Sequence, residues 1–268
     1  SRDILGRLKK MTAVQLHLVL RGLTKNQKAE LTRRWYGFEH DGQREPTGDW
    51  RIWLIRAGRG FGKTRAGAEW VSQIARDWPD ARIALVAATI ADGVRVMIEG
   101  ASGLIAVKRT HEDVIWTASR RELIFESGAV ATLYSAEAGE ELRGPEHDFA
   151  WCDELAKWRR GATAWDNLMM GLRLGDQPRV VVTTTPRVNA VMRRVMTAPG
   201  MVETLGKTRD NPHLADNFVV AMLESYGGTR LGRQELDGEL LEDIEGALWT
   251  RALVERCRVD ADGIGKPV

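Results

Sequence analysis

Three glycines alternate with other residues just before a lysine and a threonine, in the stretch A-G-R-G-F-G-K-T at positions 57–64. Such glycines let a backbone curl so that its N–H groups point toward an anion. Lys63 adds a positive charge for the terminal phosphates of a nucleotide, and Thr64 adds a hydroxyl ligand for Mg²⁺. The stretch therefore predicts a phosphate-binding loop. It departs from G-x-x-x-x-G-K-[ST] at its first position, where Ala57 replaces a glycine.

The residues on either side of the loop provide the context that it needs. Ile52 to Ile55 is typical of a short buried strand, and apolar residues recur at helical spacing from Lys63 to about Arg76. Phosphates would then meet a helix N-terminus. The alternative, a glycine-rich turn after a buried strand, is disfavoured by this order. The residues expected to contact the nucleotide are Gly58, Arg59, Gly60, Phe61, Gly62, Lys63, Thr64 and Arg65. Solvation or a local ion pair is the alternative for Arg65.

An acid pair, Asp153-Glu154, ends the apolar run F-A-W-C at positions 149–152. The acid at such a strand end holds Mg²⁺ in nucleotide hydrolases, and a following carboxylate can activate the attacking water as a general base. We therefore assign Asp153 to the metal and Glu154 to the water. A helix N-cap followed by a first-turn acid is the alternative for the pair taken alone. A glutamate beside the aspartate also favours hydrolysis over phosphoryl transfer to a small molecule.

A run of three threonines ends another buried strand. The hydroxyls of Thr183, Thr184 and Thr185 could sense the γ-phosphate, although β-branched residues are common in strands for steric reasons alone. Two arginines complete the candidates. Arg59 lies where phosphoryl charge develops, and Arg143 precedes the acid strand at a place that can face a neighbouring subunit.

Length, composition and charge limit the remaining possibilities. The 268 residues suit one large domain or one domain with a small appendage, and 43% hydrophobic with 28% charged residues is ordinary for a globular protein. The net charge is only +2, so contacts with nucleic acid need local patches. Short runs of basic residues are usually solvated surface. If the chain contacts DNA, the first candidates for binding its phosphates are Lys157, Arg159 and Arg160. A chain with two cysteines has no disulfide framework, which indicates a reducing cytoplasm. The histidines are not spaced as in a zinc site, and no apolar run is long enough to span a membrane.

Strand patterns alternate with helical patterns along most of the chain, which predicts a doubly wound α/β fold with a mostly parallel sheet. The strands are expected near 52–55, 82–88, 114–116, 122–125, 130–134, 148–152, 179–185 and 201–205. The helices are expected near 3–20, 25–35, 63–76, 89–98, 156–174, 188–196, 218–226 and 233–240, followed by a linker-like tail at 260–268.

Five separated segments together resemble the large terminase subunit of the tailed-phage and gene-transfer-agent type. They are RAGRGFGKTRAGAEW, ELRGPEHDFAWCDELAKW, VVVTTTPR, DNPHL and GGTRLGRQELDGELLED. The resemblance implies a P-loop fold of the additional-strand type with a catalytic glutamate, and an ATP- and Mg²⁺-dependent enzyme that moves double-stranded DNA into a procapsid. It also implies a portal protein, a small terminase subunit and a homo-oligomeric ring as partners, in the host cytoplasm and without a membrane; a monomer is the alternative for the isolated chain.

The resemblance also implies roles for individual residues. Arg143 is similar to an arginine that acts in trans, and Thr183 to Thr185 are similar to a coupling motif. An adenine-reading glutamine precedes the loop in this family, for which Gln43 is a better candidate than Gln27.

The resemblance divides the chain into three parts: an ATPase core at 1–205, a lid and linker subdomain at 206–250, and a linker at 251–268 toward a nuclease domain that we expect to be absent. Three other functions stay open. The first is a helicase-like nucleic-acid remodelling ATPase, which normally needs a second motor domain. The second is a kinase, whose reaction does not need Glu154 to activate water. The third is a structural nucleotide-binding module, which would leave the acid pair without a role.

Overall fold

The computed structural model describes residues 10–32, 34–241, 249 and 251–258. Eight strands form one sheet, and they are β1 (Ile52–Ala57), β2 (Arg82–Ala87), β3 (Val114–Thr117), β4 (Glu122–Phe125), β5 (Val130–Ser135), β6 (Phe149–Asp153), β7 (Arg179–Thr184) and β8 (Met201–Gly206). Their spatial order is β3-β4-β5-β2-β6-β7-β1-β8. Neighbours from β5 to β8 are parallel, while β3–β4 and β4–β5 are antiparallel. The predicted mostly parallel α/β architecture is confirmed.

The described ranges contain ten α-helices. They are α1 (Ala13–Gly22), α2 (Lys25–Thr32), α3 (Lys63–Asp77), α4 (Ile90–Asp92), α5 (Leu104–Val107), α6 (Gly161–Gly171), α7 (Ala190–Met196), α8 (Asp216–Tyr226), α9 (Arg230–Glu235) and α10 (Arg251–Arg256). One core cluster joins α3 to one face of the sheet, and a second joins α6 and α7 to the other. Burial on both faces explains why the central strands are continuously apolar. Within the described ranges no helix has the length and apolarity that crossing a membrane requires.

Both described helices before the sheet have bounds that differ from the prediction. Thr12 and Gln15 form a capping box, so α1 begins at Ala13 rather than at residue 3, and residues 3–9 of the predicted helix lie outside the described residues. The predicted capping box of Thr24 and Gln27 is confirmed by their reciprocal bonds, but α2 ends at Thr32 rather than near residue 35. The predicted tail at 260–268 also lies outside the described residues.

Two later helices also differ from the predicted bounds. The predicted helix at 156–174 is a 3-10 turn, Leu155–Lys157, followed by α6, since the buried Trp158 donates its indole N–H to the Asp153 carbonyl at 3.1 Å. The helix predicted at 233–240 runs instead from 230 to 235, as α9. The chain turns beyond it at Gly238, whose φ of 70° brings it against Gly206 and Ala57.

Strand order determines which predicted residues can meet. β7 lies between β1 and β6, so the strand that leads into the glycine loop and the strand that ends in the acid pair are separated by one strand. In the β6–β7 register Asp153 is level with Thr183, which is in turn level with Ile55 of β1. Ligands of open parallel sheets bind at the carboxyl ends of strands. The loop, the acid pair and the threonines therefore share one edge of the sheet.

Candidate nucleotide site

Hydrogen bonds turn the carbonyl groups of the glycine loop toward the protein. Each of the six carbonyls from Ala57 to Gly62 accepts a bond from a side chain. Lys63 Nζ donates to Ala57 and Gly58 at 2.9 Å each, Thr208 Oγ1 to Arg59 at 2.6 Å, Asn211 Nδ2 to Gly60 at 2.6 Å, His40 Nε2 to Phe61 at 2.9 Å, and Gln43 Nε2 to Gly62 at 3.0 Å. With the carbonyls held in this way, the loop can present its N–H groups on the opposite side.

Several amides of the loop remain available. The N–H groups of Gly60, Gly62, Lys63 and Thr64 make no hydrogen bond in the part of the chain that the structure describes, and the last two open helix α3. Free amides at a helix N-terminus form an anion site, which the helix dipole reinforces. This geometry fits a chain of phosphates.

Close contacts explain the three glycines. Gly60 and Gly62 have φ values of 75° and 96°, and a Cβ atom on Gly62 would lie 2.2 Å from Gln43 Nε2. A Cβ atom on Gly58 would lie 2.3 Å from the Leu236 carbonyl oxygen. Ala57 needs no such freedom, because it is the last residue of β1 and its methyl group is fully buried. The departure at the first position of the loop therefore leaves its shape intact.

Lys63 is buried beneath the loop, with 7% of its surface exposed. Burial lowers the pKa of its ammonium group, while the carboxylates of Glu154 and Asp153 act in the opposite direction. A cation held among two acids and two carbonyls is positioned to bind an anionic ligand in exchange for part of these contacts.

Asp153 is held by a hydrogen-bond chain across the sheet. Trp151 Nε1 donates to Thr183 Oγ1 at 2.9 Å, and this hydroxyl donates to Asp153 Oδ1 at 2.7 Å. Burial, followed by the neighbouring Glu154, raises the pKa of Asp153 to about 6, against the opposing effects of Thr183 and Lys63. A cation bound beside this carboxylate would favour its ionised form.

The donor set near Asp153 fits a magnesium ion. Mg²⁺ prefers oxygen ligands and is usually bound by one or two carboxylates together with substrate phosphates. Asp153 and the Thr64 hydroxyl, which lines the cleft beside Lys63, provide such oxygens. The described residues contain no cluster of three or more acidic, histidine or cysteine side chains that would bind a metal without a phosphate.

Glu154 has an unusual backbone conformation, with φ of 48° and ψ of 44° in the left-handed region. This turn aims its carboxylate back toward the end of β7. Thr185 contacts it through its N–H at 3.4 Å and through its hydroxyl at 3.4 Å, and Lys157 Nζ lies 3.4 Å from Oε2. Strained backbone of this kind often occurs at functional sites. Glu154 is therefore aimed by its own backbone and by two neighbours.

A cleft of about 750 Å³ lies above these residues. Its polar part includes Lys63, Thr64, Glu154 and Thr185, and its other wall carries the rings and apolar groups of Trp35, Phe38, His213 and Leu214. His213 bonds to the Phe38 carbonyl, so residues from before and after the sheet close this wall together. The size and lining fit a nucleotide, with phosphates at the loop and a base at the aromatic wall.

Most of the predicted site residues meet at this cleft. It is lined by Gln43, Arg59, Gly60, Gly62, Lys63, Thr64, Arg65, Glu154, Lys157 and Thr185. Gly58 completes the loop, and the Phe61 side chain is buried. Asp153, Thr183 and Thr184 lie beneath the cleft, and the Thr184 hydroxyl accepts a bond from the Ala156 N–H. Arg65 pairs with Glu69 at 2.7 Å and lies over the Trp35 ring.

The other candidates have different surroundings. Arg143, Arg159 and Arg160 are exposed and are not part of the cleft lining. Gln43 is buried and bonds to the loop, whereas Gln27 caps α2. The trans role of Arg143, the DNA contacts of Lys157, Arg159 and Arg160, and the adenine role of Gln43 stay predictions.

Four residues that contact the loop were not predicted as site residues: His40, Thr208, Asn211 and Glu235. The first three hold loop carbonyls, and the Glu235 carboxylate pairs with Arg59 at 2.6 Å. Asn211 and Glu235 lie in two of the segments that carry the family resemblance, and Asn211-Pro212 is typical of a turn, but neither signal predicts a contact with the loop.

Known proteins resemble this chain in sequence family and in fold. The family model described as terminase large subunit, T4likevirus-type, N-terminal, matches residues 54–256. No curated protein matches the chain.

Two solved structures illustrate the likeness in fold. A large terminase from a thermophilic bacteriophage, in complex with ADP, has a TM-score of 0.61 at 14% identity, over 82% of this chain and 54% of that chain. The Thermus phage P74-26 large terminase ATPase domain has a TM-score of 0.60 at 14% identity, over 78% of this chain and 96% of that chain. The chain thus spans about half the length of the first of these two proteins. At such low identity these structures show the fold alone.

The family model covers more than half of the chain, including the glycine loop from Ala57, the acid pair and the threonine strand. The chain therefore belongs to the family of T4likevirus-type terminase large subunits, as a counterpart of their N-terminal region.

Proposed function

We propose that this chain is an ATPase of a DNA-packaging motor, which hydrolyses ATP with Mg²⁺ and couples hydrolysis to the movement of double-stranded DNA. The arrangement of the loop carries the proposal: side chains bond all six loop carbonyls, four loop amides have no partner among the described residues, and the buried Lys63 is bonded to the loop itself. The large terminase of the thermophilic bacteriophage, whose fold is similar, has structures in complex with ADP and with ATP-gamma-S.

Each group near the phosphates has a role in this reaction. The loop amides and Lys63 bind the β- and γ-phosphates, while Asp153 and Thr64 hold the magnesium ion. This ion supplies charge stabilisation to the phosphate oxygens when bound. Glu154 accepts a proton from water as the water oxygen bonds to the γ-phosphorus, and the bond to the β,γ-bridging oxygen breaks. ADP and phosphate leave, and Arg59 stabilises the charge that develops.

Larger assembly belongs to the same proposal. Thr183 to Thr185 connect the acid pair to the chain that follows β7, residues 206–250 act as a lid, and Arg143 reaches a neighbouring subunit in a homo-oligomeric ring. The expected partners are double-stranded DNA, a portal protein and a small terminase subunit, in the host cytoplasm. Arg159 and Arg160 are candidates for DNA contacts.

The test separates binding from chemistry. Glu154→Gln keeps the size of the side chain but removes the base, so we expect normal ATP binding and a loss of turnover of about 10²-fold or more. Lys63→Ala should lose both binding and turnover. Nucleotide affinity is measured by titration with a fluorescent nucleotide, and turnover by phosphate release, for the wild type and both variants. Each turnover assay is run with and without double-stranded DNA. Wild-type turnover in either variant would refute the assigned roles.

A further inference from the structure

We propose that Lys157 is a positioning residue for Glu154, holding the carboxylate of the general base in the orientation that hydrolysis needs. This inference rests on the proposed function, because it concerns the same reaction. Lys157 is one turn beyond Glu154, in the 3-10 helix Leu155–Lys157 that follows the acid pair. Its ammonium lies in the cleft, 3.4 Å from Glu154 Oε2.

Local backbone geometry brings the two side chains together. Glu154 caps the 3-10 helix with a left-handed conformation, and the Lys157 N–H donates to the Glu154 carbonyl at 2.8 Å. Trp158, the next residue, is buried and bonded to the Asp153 carbonyl, so the turn cannot rotate freely. Lys157 is therefore fixed at its backbone while its side chain reaches into the cleft.

The Glu154 carboxylate has two partners. Thr185, which follows β7, contacts both oxygens, and Lys157 contacts Oε2. Without Lys157, the hydrogen bonds that restrain the carboxylate within the described part of the chain would be the two 3.4 Å contacts from Thr185. A base must be placed within hydrogen-bond reach of the proton that it takes, so a freely rotating carboxylate would be a poorer base.

Stability does not explain the pair. The side chains of Lys157 and Glu154 are 42% and 25% exposed, and ion pairs of this exposure contribute little to folding. The ammonium of Lys157 lies instead at the phosphate end of the cleft, close enough for its charge to lower the pKa values of Lys63 and Asp153. A role in catalysis accounts for this position, and a solvated surface charge would not require it.

The test is the steady-state hydrolysis of ATP by Lys157→Ala and Lys157→Arg, together with titration of each by a fluorescent ATP analogue. We expect Lys157→Ala to bind nucleotide within about twofold of wild type while kcat falls about tenfold or more. Lys157→Arg should recover much of kcat, because it restores a cation beside Glu154. A crystal structure of Lys157→Ala should show the Glu154 carboxylate displaced from its position beside Thr185.

Arg95→Ala is the matched control, since Arg95 and Asp92 also form an exposed pair three residues apart, at 2.6 Å, outside the cleft. It should leave kcat unchanged. Wild-type kcat in Lys157→Ala would overturn the inference, as would a parallel loss of nucleotide affinity, which would make Lys157 a phosphate ligand. Folded wild-type protein that binds ATP without hydrolysing it would overturn the proposed function itself, and with it the role of Lys157.

Discussion

Arg59 of the glycine loop and Glu235 at the end of α9 are joined twice. The guanidinium Nε lies 2.6 Å from the Glu235 carboxylate, and the Arg59 N–H donates to the Glu235 carbonyl at 2.7 Å. The segment that follows the sheet thus holds Arg59, the side chain to which we assign stabilisation of the transition-state charge. A phosphate that attracts Arg59 must compete with this carboxylate.

Glu235→Gln removes that competition and should tighten ATP binding. Because Arg59 is 68% exposed, the ion pair is worth about 0.2–1 kcal/mol, so affinity should rise roughly fivefold at most. Isothermal titration calorimetry with ATP measures the change in affinity. Glu239→Gln is the control, since it breaks the exposed pair with Arg233 in the same segment. Weaker binding in Glu235→Gln would mean that the pair holds Arg59 in its binding position.

The exposed position of Arg143 allows a mixing experiment. Arg143→Ala keeps its own loop, and Lys63→Ala keeps its own Arg143, so the two defects complement each other if the arginine acts on a neighbouring subunit. We expect the mixture to hydrolyse ATP faster than the sum of the separate proteins, under conditions where light scattering shows assembly. Lys63→Ala mixed with Glu154→Gln should show no such gain. A loss in monomeric Arg143→Ala equal to that in the assembly would indicate a cis role.

Gly67→Ala should destabilise the fold and disturb the site. A Cβ atom there would lie 2.3 Å from the Trp151 ring, which is fully buried and bonds to Thr183. Overpacking of this kind costs about 1–3 kcal/mol. Urea unfolding measures the loss, and reduced turnover is expected because Thr183 holds Asp153. Gly22→Ala, where the added methyl meets nothing within 4 Å, should be neutral or slightly stabilising. Equal stability of the two variants would contradict this packing.

His147 should make the protein sensitive to acid. It is 4% exposed, neither ring nitrogen has a hydrogen-bond partner in the described part of the chain, and its ring packs edge-on against Tyr134. Burial lowers its pKa from 6.5 to about 4, with a further contribution from Arg82 and opposition from Asp148. Between these pH values the unfolded chain binds the extra proton, so stability is complete above pH 6.5 and falls toward pH 4.

The pKa shift of His147 corresponds to a loss of about 3 kcal/mol in the free energy of unfolding between neutral and acid pH. In His147→Phe or His147→Gln this acid-dependent loss should disappear. Chemical unfolding at a series of pH values between about 4 and 7.5 measures it. His17→Asn, which changes an exposed imidazole on α1, is the control. If the pH slope of both His147 variants equals that of wild type, another group is responsible.

Local chemistry made the loop and the acid pair predictable. The glycines, Lys63 and the Asp153-Glu154 pair can each be recognised within a few residues, and apolar runs located all eight strands. The holders of the loop could not be found in this way, because Thr208, Asn211 and Glu235 lie 149, 151 and 176 residues from the groups that they bind. Helix ends were mispredicted for a different reason. Trp158 interrupts the predicted helix at 156–174 through a bond to the carbonyl of Asp153, five residues earlier, which no periodicity in the sequence contains.

The segment from Trp35 to Gln43, which contacts the loop and lines part of the cleft, has a practical consequence for anyone expressing this domain. These residues precede the first strand, so sheet boundaries alone would suggest a fragment starting near residue 50. Such a fragment would lack the donors to the carbonyls of Phe61 and Gly62 and the partner of His213. It would retain every recognisable motif, yet its phosphate loop would be unsupported on one side. Shortened versions should therefore keep the chain from residue 34 onward.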